Sequence, residues 1–273
     1  MGRASKIMAP TSCFNGQVNR LPDSPQAYGA MITRPKAAPA QSRSTARAGT
    51  LPVSSTRAMI ARVDDTLIPR ALTSEAQLRE LYADPGERAV RKELDHIDEM
   101  SRRLIAVSPV VFVATSDANG RCDVAPRGGT PGFVTVLDER HVVIPDATGN
   151  NRLDSYRNIL ANGHAGLNFV IPGRDTTLRV NGAAWITADE DLLARLTPIG
   201  KPPKTALVVR TDEVYVHCAK AFVRSKFWRP EAWPLKAEQP TPAEVALAHQ
   251  RDPNLTLAEV EQDQRDSLLH RLA

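Results

Sequence analysis

Residues 144–173 read IPDATGNNRLDSYRNILANGHAGLNFVIPG, and the fold turns on what this stretch is. An apolar strand ends at Pro145, a Gly-Asn-Asn-Arg turn occupies 149–152, an amphipathic helix runs to about Ala161, and a second apolar strand starts near Ala165. A turn that opens into a helix offers free backbone N–H groups where the helix dipole favours an anion. Arg152 adds a planar cation that can grip two oxygens at once. Two readings stand on this evidence: a cradle for a phosphate group, or a plain strand-turn-helix unit whose helix is capped by Asn. The neighbouring segments have to choose between them.

Working outward, the apolar period is 2 from Pro109 onward. Residues 110–115 predict a buried strand, 117–120 a hairpin turn, and 121–125 a strand that pairs back. Residues 133–137 and 141–145 form a second hairpin across Asp138, Glu139 and Arg140. Beyond the opening stretch, long strands are expected at 176–188 and 205–218, with a short helix from Asp189 between them. Six or seven antiparallel strands interrupted by one helix predict a mainly β fold, a small closed barrel with flanking helices. In that setting residues 144–173 are the helical insertion of a barrel and not a Rossmann turn.

The flanks read as helical. Ser74 with Gln77 is a capping box that opens a short helix to Tyr82, ended by Asp84-Pro85-Gly86. A longer helix is expected over 87–107, with Val90, Leu94, Ile97, Leu104 and Ile105 near a 3.6 period. After the barrel, residues 219–228 predict a basic, aromatic helix that stops at Arg229-Pro230. Pro242 starts another helix, and 255–272 a last one with Leu257, Val260, Leu268, Leu269 and Leu272 on its apolar side. These positions are too few for a separate core, so the arm at 233–273 is expected to pack on the barrel or on a partner subunit.

Composition narrows the class. The chain has 273 residues and 42% hydrophobic content, enough to bury a core. No run approaches the roughly 20 apolar residues of a membrane span, and the N-terminus lacks the apolar segment of a secretory signal, so a cytoplasmic protein is expected. Residues 1–62 hold nine Lys/Arg and a single acid, Asp23. Removing these from the 35 basic and 31 acidic residues of the whole chain leaves 26 against 30, so residues 63–273 are net −4. The basic excess therefore belongs to the tail, and the globular part has no electrostatic footprint for nucleic acid. The tail is rich in Pro, Ser, Thr, Ala and Arg without apolar periodicity and is expected to be disordered. It reads as a presequence-like leader, a basic interaction tail, or an extension ahead of a start at Met59. The expected organisation is a tail at 1–62, a barrel domain with N-terminal helices at 63–232, and a helical arm at 233–273.

The familiar catalytic patterns are missing. Cys13, Cys122 and Cys218 are widely spaced, without a CxxC pair or a disulfide framework. His217-Cys218 has no second pair at ligand spacing, so no metal is expected. There is no GxSxG elbow and no GxxxxGK[ST] loop. The run Gly128-Gly129-Thr130-Pro131-Gly132 does not fit GxGxxG and lies between strands. What remains is a set of arginines and amides without an acid–base pair, which suits an anionic cofactor that carries the chemistry itself.

The blocks DVAPRGGTPGF (123–133), VVIPDATGNNR (142–152), LANGHAGLNFVIPG (160–173), TLRVNGAA (177–184) and VHCAKAFVRSKFW (216–228) together resemble the pyridoxamine 5'-phosphate oxidase-like FMN-binding split-barrel family. Within it, the chain is similar to the PPOX-class subgroup with a C-terminal His-Cys-Ala-Lys-Ala segment. The resemblance covers roughly residues 70–230. It implies an FMN-binding homodimer with flavin in a cleft between subunits, serving a small-molecule substrate or electron partner. Arg127, flanked by Gly128, matches the family's arginine after the second strand. Asn151 and Arg152 match its polar-basic pair at the cofactor phosphate. Ser155 joins the same candidate site, although Asp154 and Ser155 would equally serve to cap and charge the first helical turn. Asn158 and Asn162 would do the same at the other helix end, and Arg179 and Asn181 share one strand face, toward the cleft or toward solvent.

By the same resemblance the segment with Lys220, Arg224, Ser225 and Trp228 reaches the flavin of the neighbouring subunit. Helical spacing would put Lys220, Arg224 and Trp228 along one side. The sequence departs from true pyridoxamine phosphate oxidases in having Asn-Asn-Arg where they have a Ser-Arg-Lys type motif, and Phe227-Trp228-Arg229-Pro230 where they have the vitamin-binding segment. The expected function is an FMN-dependent oxidoreductase of unassigned substrate. The alternative is a protein that binds or stores flavin, heme or a deazaflavin without turnover.

Overall fold

A computed structural model describes residues 71–147 and 149–270. The expectations for the tail at 1–62, including Cys13 and Met59, lie outside the described residues. The seven strands are β1 (Val110–Ser116), β2 (Cys122–Gly128), β3 (Thr135–Val136), β4 (His141–Pro145), β5 (His164–Val170), β6 (Thr177–Thr187) and β7 (Ala206–His217). All pair antiparallel in the order β2-β1-β5-β6-β7-β4-β3. The strand count alone suggested closure, but β2 and β3 are edges, so the barrel is split. The helices are α1 (Glu75–Leu81), α2 (Glu87–Arg91), α3 (Glu99–Val107), α4 (Asp154–Asn162), α5 (Glu190–Leu193), α6 (Lys220–Ser225), α7 (Pro242–Gln250) and α8 (Leu257–His270).

Period-2 alternation sends one side of each strand inward. Val111, Val113, Leu167, Phe169, Val180 and Val209 build the core, and Ile105 of α3 and Ile159 of α4 seal it. On the other side of β4 and β7, Val143, Ala206 and Val208 pack with Leu196 and the α5 leucines in a smaller cluster. One irregularity resets the pattern in β7. Asn181 pairs with Glu213 and Gly182 with Thr211, so Asp212 is an extra residue. Leu207 and Val209 face the core before this bulge and Val214 after it, which turns Glu213, Tyr215 and His217 to the outer face. Gly182 permits the bulge, because a Cβ there would collide with the Arg210 carbonyl.

Three helical or strand expectations need correction. The single helix over 87–107 is broken into α2 and α3, because the intervening chain pairs with the end of β7 that β4 leaves uncovered. Leu94 exchanges backbone hydrogen bonds with Val214 at 3.0 and 2.8 Å, satisfying groups that β6 leaves free on that edge. Asp98 then restarts the helix by accepting from the Ser101 N–H at 2.8 Å. The second strand extends to Gly128, so Arg127 lies within it and not after it. The helix at 219–228 stops at Ser225, where Lys226 takes a left-handed conformation with φ 51°.

In the C-terminal arm, Thr241 and Glu244 form a reciprocal capping box on α7. The expected apolar side of α8 is covered at Val260, while Leu268 and Leu269 are exposed. No helix among the described residues is long and apolar enough to cross a membrane.

Candidate functional site

β2 alternates like the other strands, but its inward face is partly polar. Asp123, Ala125 and Arg127 pair with Thr115, Val113 and Val111 and therefore share the core face, at the edge of the sheet where α4 crosses it. A pocket of about 350 Å³ opens there, with Asp123, Arg127, Asp146, Asn151, Arg152 and Tyr156 among its walls. Ser155 ties the two sides together. Its side chain is buried, its hydroxyl donates to Asp123 Oδ2 at 2.9 Å, and it accepts from Arg127 Nη2 at 3.2 Å. Arg127 Nη1 also donates to the Pro126 carbonyl at 2.9 Å, so the guanidinium is held from two directions.

The entry to α4 is unusual. Asn151 and Leu153 have φ of 60° and 57°, a conformation disfavoured for residues other than glycine. Leu153 is the N-cap residue and supplies no side-chain acceptor. The Asn-capped helix considered from sequence is therefore not formed, since Asn150 Oδ1 accepts from the Arg152 N–H at 3.1 Å and closes the turn. The first turn of α4 has no side-chain cap, and its residues Asp154, Ser155 and Tyr156 line the pocket, an arrangement that suits an anion. Arg152 stands at the mouth, largely exposed, with Nε donating to Asp154 Oδ2 at 2.7 Å. Burial pushes the Tyr156 phenol above its usual range. The Thr205 hydroxyl opposes this shift and the Asp146 carboxylate adds to it.

The structure brings together Arg127, Asn151, Arg152 and Ser155 of the residues expected from sequence. Gly128 lies on the opposite face of β2. The more constrained neighbour is Gly129, where a Cβ would come within 2.9 Å of the Phe133 side chain. Lys220, Arg224, Ser225 and Trp228 are absent from the walls of this pocket. The stripe expected along one helical side fails beyond Arg224, because the helix has ended. Trp228 instead stacks on Phe222 at 6.0 Å and donates from Nε1 to the Arg174 carbonyl at 2.9 Å. The Ser225 hydroxyl donates back to the Phe222 carbonyl.

Asn158 and Asn162 do not cap the helix end. They donate to Thr115 Oγ1 at 3.0 Å and Ser116 Oγ at 2.7 Å, pinning α4 to β1. Arg179 and Asn181 face outward, bound to Tyr215 and Glu213. Asp123, Asp146 and Tyr156 were not foreseen. Asp123 had a usable signal, its i, i+4 relation to Arg127 along a strand, whereas the other two carry no motif. Among the described residues no group of three His, Cys, Asp or Glu is placed to hold a metal.

Residues 97–218 match the family model described as pyridoxamine 5'-phosphate oxidase. No curated protein matches the chain. Among solved structures, the HupZ protein of Group A Streptococcus is similar at 20% identity, over 44% of this chain and 93% of that one, with a TM-score of 0.35. A Clostridium acetobutylicum protein related to general stress protein 26 of B. subtilis, of the pyridoxinephosphate oxidase family, shares 18% identity over 43% and 85%, with a TM-score of 0.32. An FMN-binding protein from Syntrophomonas wolfei shares 16% identity over 44% and 89%, with a TM-score of 0.31.

Proposed function

We propose that this chain, whose residues 97–218 match the pyridoxamine 5'-phosphate oxidase family model, is an FMN-binding flavoprotein, and that its α4 pocket receives the phosphate end of the cofactor. The observation that carries this reading is the uncapped first turn of α4, set between Arg127 and Arg152 in one pocket. The donor set fits the group: two guanidinium ions and backbone N–H groups suit a phosphate, and the carboxylates of Asp123 and Asp146 suit the hydroxyls of a polyol chain. When bound, FMN supplies hydride or single-electron exchange with a substrate or electron partner, which makes the protein an oxidoreductase. The chain's own part is binding and orientation. Ser155 fixes Arg127 against Asp123, and the left-handed residues Asn151 and Leu153 aim the N–H groups.

The reading includes a cytoplasmic homodimer with the cofactor between subunits. Phe112, Val124 and Pro126 leave an apolar surface on the outer face of β1 and β2, which suits a second copy. The segment with Lys220, Arg224, Ser225 and Trp228 would then complete the partner's pocket, since it lines none of its own. In this organisation residues 63–232 are the cofactor-binding domain and 233–273 a helical arm.

Titration of the full-length protein with FMN, followed by flavin fluorescence, tests the reading. Wild type is expected to bind, and Arg127→Ala or Arg152→Ala to lose about tenfold or more in affinity with circular dichroism unchanged. A colourless protein that cannot be reconstituted with FMN overturns the flavin reading. An Arg152→Ala variant that binds as tightly as wild type overturns the phosphate assignment. Reduction of the loaded protein and mixing with oxygen or NAD(P)H then separates an oxidoreductase from a flavin store.

A further inference from the structure

Tyr215 is the centre of a second cluster, on the sheet face opposite the α4 pocket. The bulge at Asp212 turns Tyr215 and His217 outward, beside their cross-strand partners Arg179 and Thr177. Arg179 Nη1 donates to the Tyr215 hydroxyl at 2.9 Å, and its Cζ lies 5.8 Å from the centre of the ring. Lys92, just past α2, places Nζ 5.2 Å from the same ring and donates to the Val216 carbonyl at 3.1 Å. Two full positive charges thus converge on one phenol, and His217 follows two residues further along the same strand face.

Among the described residues no carboxylate forms an ion pair with Lys92, Arg179 or His217. Glu213, two residues before Tyr215 on the same face, forms no ion pair with them and accepts from Asn181 Nδ2 at 3.1 Å. Burial holds the His217 imidazole below its ordinary value, and Arg179 and Lys92 act in the same direction. Holding like charges together costs free energy, which an arriving anion would recover. The geometry suits one. The Tyr215 oxygen already accepts from Arg179, leaving its own proton to donate, and it does so beside guanidinium and ammonium donors.

We propose that Lys92, Arg179, Tyr215 and His217 form a binding site for the phosphate or carboxylate group of a small molecule, separate from the α4 pocket. The site does not depend on the flavin reading, because it shares no residue with that pocket.

The test uses the full-length protein and NMR titration of the His217 imidazole, assigned with His217→Gln. Inorganic phosphate and succinate are compared with chloride at equal ionic strength. A bound anion offsets Arg179 and Lys92, so the His217 midpoint is expected to rise with phosphate or succinate and not with chloride. The more effective of the two identifies the phosphate or the carboxylate as the recognised group. Arg179→Gln or Lys92→Gln is expected to weaken the effect about tenfold, the size of one charge-assisted hydrogen bond. Arg152→Ala, in the α4 pocket, is expected to leave it intact. The proposal is overturned if neither anion moves the midpoint, or if the Lys92→Gln, Arg179→Gln double variant responds like wild type. It is also overturned if these substitutions change self-association alone, which would make the cluster a seat for carboxylates of a second copy. FMN titration of the same variants keeps the two readings apart, since loss of the anion effect with FMN binding unchanged touches only this one.

Discussion

The α4 pocket and the Tyr215 cluster each gather two strong cations, but they treat them in opposite ways. In the pocket every cation already has a partner: Arg127 is joined through Ser155 to Asp123, and Arg152 is held by Asp154. Around Tyr215, Arg179 and Lys92 share one phenol, and no carboxylate among the described residues forms an ion pair with either. The first arrangement fixes donors in advance, so a ligand meets oriented groups and finds carboxylates for its hydroxyls. The second holds two cations together without an ion-paired carboxylate, the arrangement on which the proposed anion site rests. Both depend on the same sheet, one on each face.

Gly182→Ala is expected to have the largest effect. A Cβ at this position meets the Arg210 backbone, the bulge cannot form as it stands, and Tyr215 and His217 lose the phase that turns them outward. Failure to fold, or a loss above about 4 kcal/mol in denaturant unfolding, is expected. A loss below about 1 kcal/mol would mean that the strands slip to admit the methyl group and that the bulge is not required.

Ser155→Ala sharpens the comparison from the pocket side. It deletes the hydroxyl between Asp123 and Arg127 and leaves both charged groups without their bridge. A cost of about 1–3 kcal/mol is expected, together with weaker FMN binding and an unchanged His217 titration. An FMN affinity equal to wild type would show that Arg127 does not need to be held.

The smallest effect is in the pH profile of stability. His217 titrates lower in the folded protein than its ordinary value of 6.5, with burial as the leading cause. The unfolded chain therefore takes up the proton first. The contribution of His217 is fully present above pH 6.5 and is lost as pH falls through the folded midpoint. Thermal melts from pH 7.5 down to about 5 should show this decline in wild type and a flatter curve in His217→Gln. Saturating phosphate should flatten the wild-type curve as well, whereas an unchanged slope in His217→Gln would assign the decline to other groups.

Much of the barrel was legible because strand alternation and turn chemistry are local. β1, β4, β5, β6 and β7 fall within a residue or two of where the apolar period puts them. The helical insertion was legible for the same reason, and it brought Asn151, Arg152 and Ser155 to one place. The break between α2 and α3 was not, because the apolar residues at 90, 94 and 97 fit a helix equally well until the part of β7 beyond β4 pairs with Leu94. The end of α6 was missed for a similar reason. Once Lys226 turns out of the helix, Phe222, Phe227 and Trp228 pack on one another and Trp228 Nε1 donates to the Arg174 carbonyl, contacts that the local sequence does not announce.

By itself the sequence determined the order of the elements, the inward set on most strands, and the turn that leads into α4, all of which follow from periodicities a few residues long. Only the tertiary structure decided which charges find partners. Asp123 reaches Arg127 through a serine 28 residues further along than the arginine. Tyr215 faces Arg179 because one extra residue, Asp212, shifts the phase of a strand against its neighbour. Nothing within the strand announces that shift, since a bulge is a property of two paired backbones and of the space that Gly182 leaves between them.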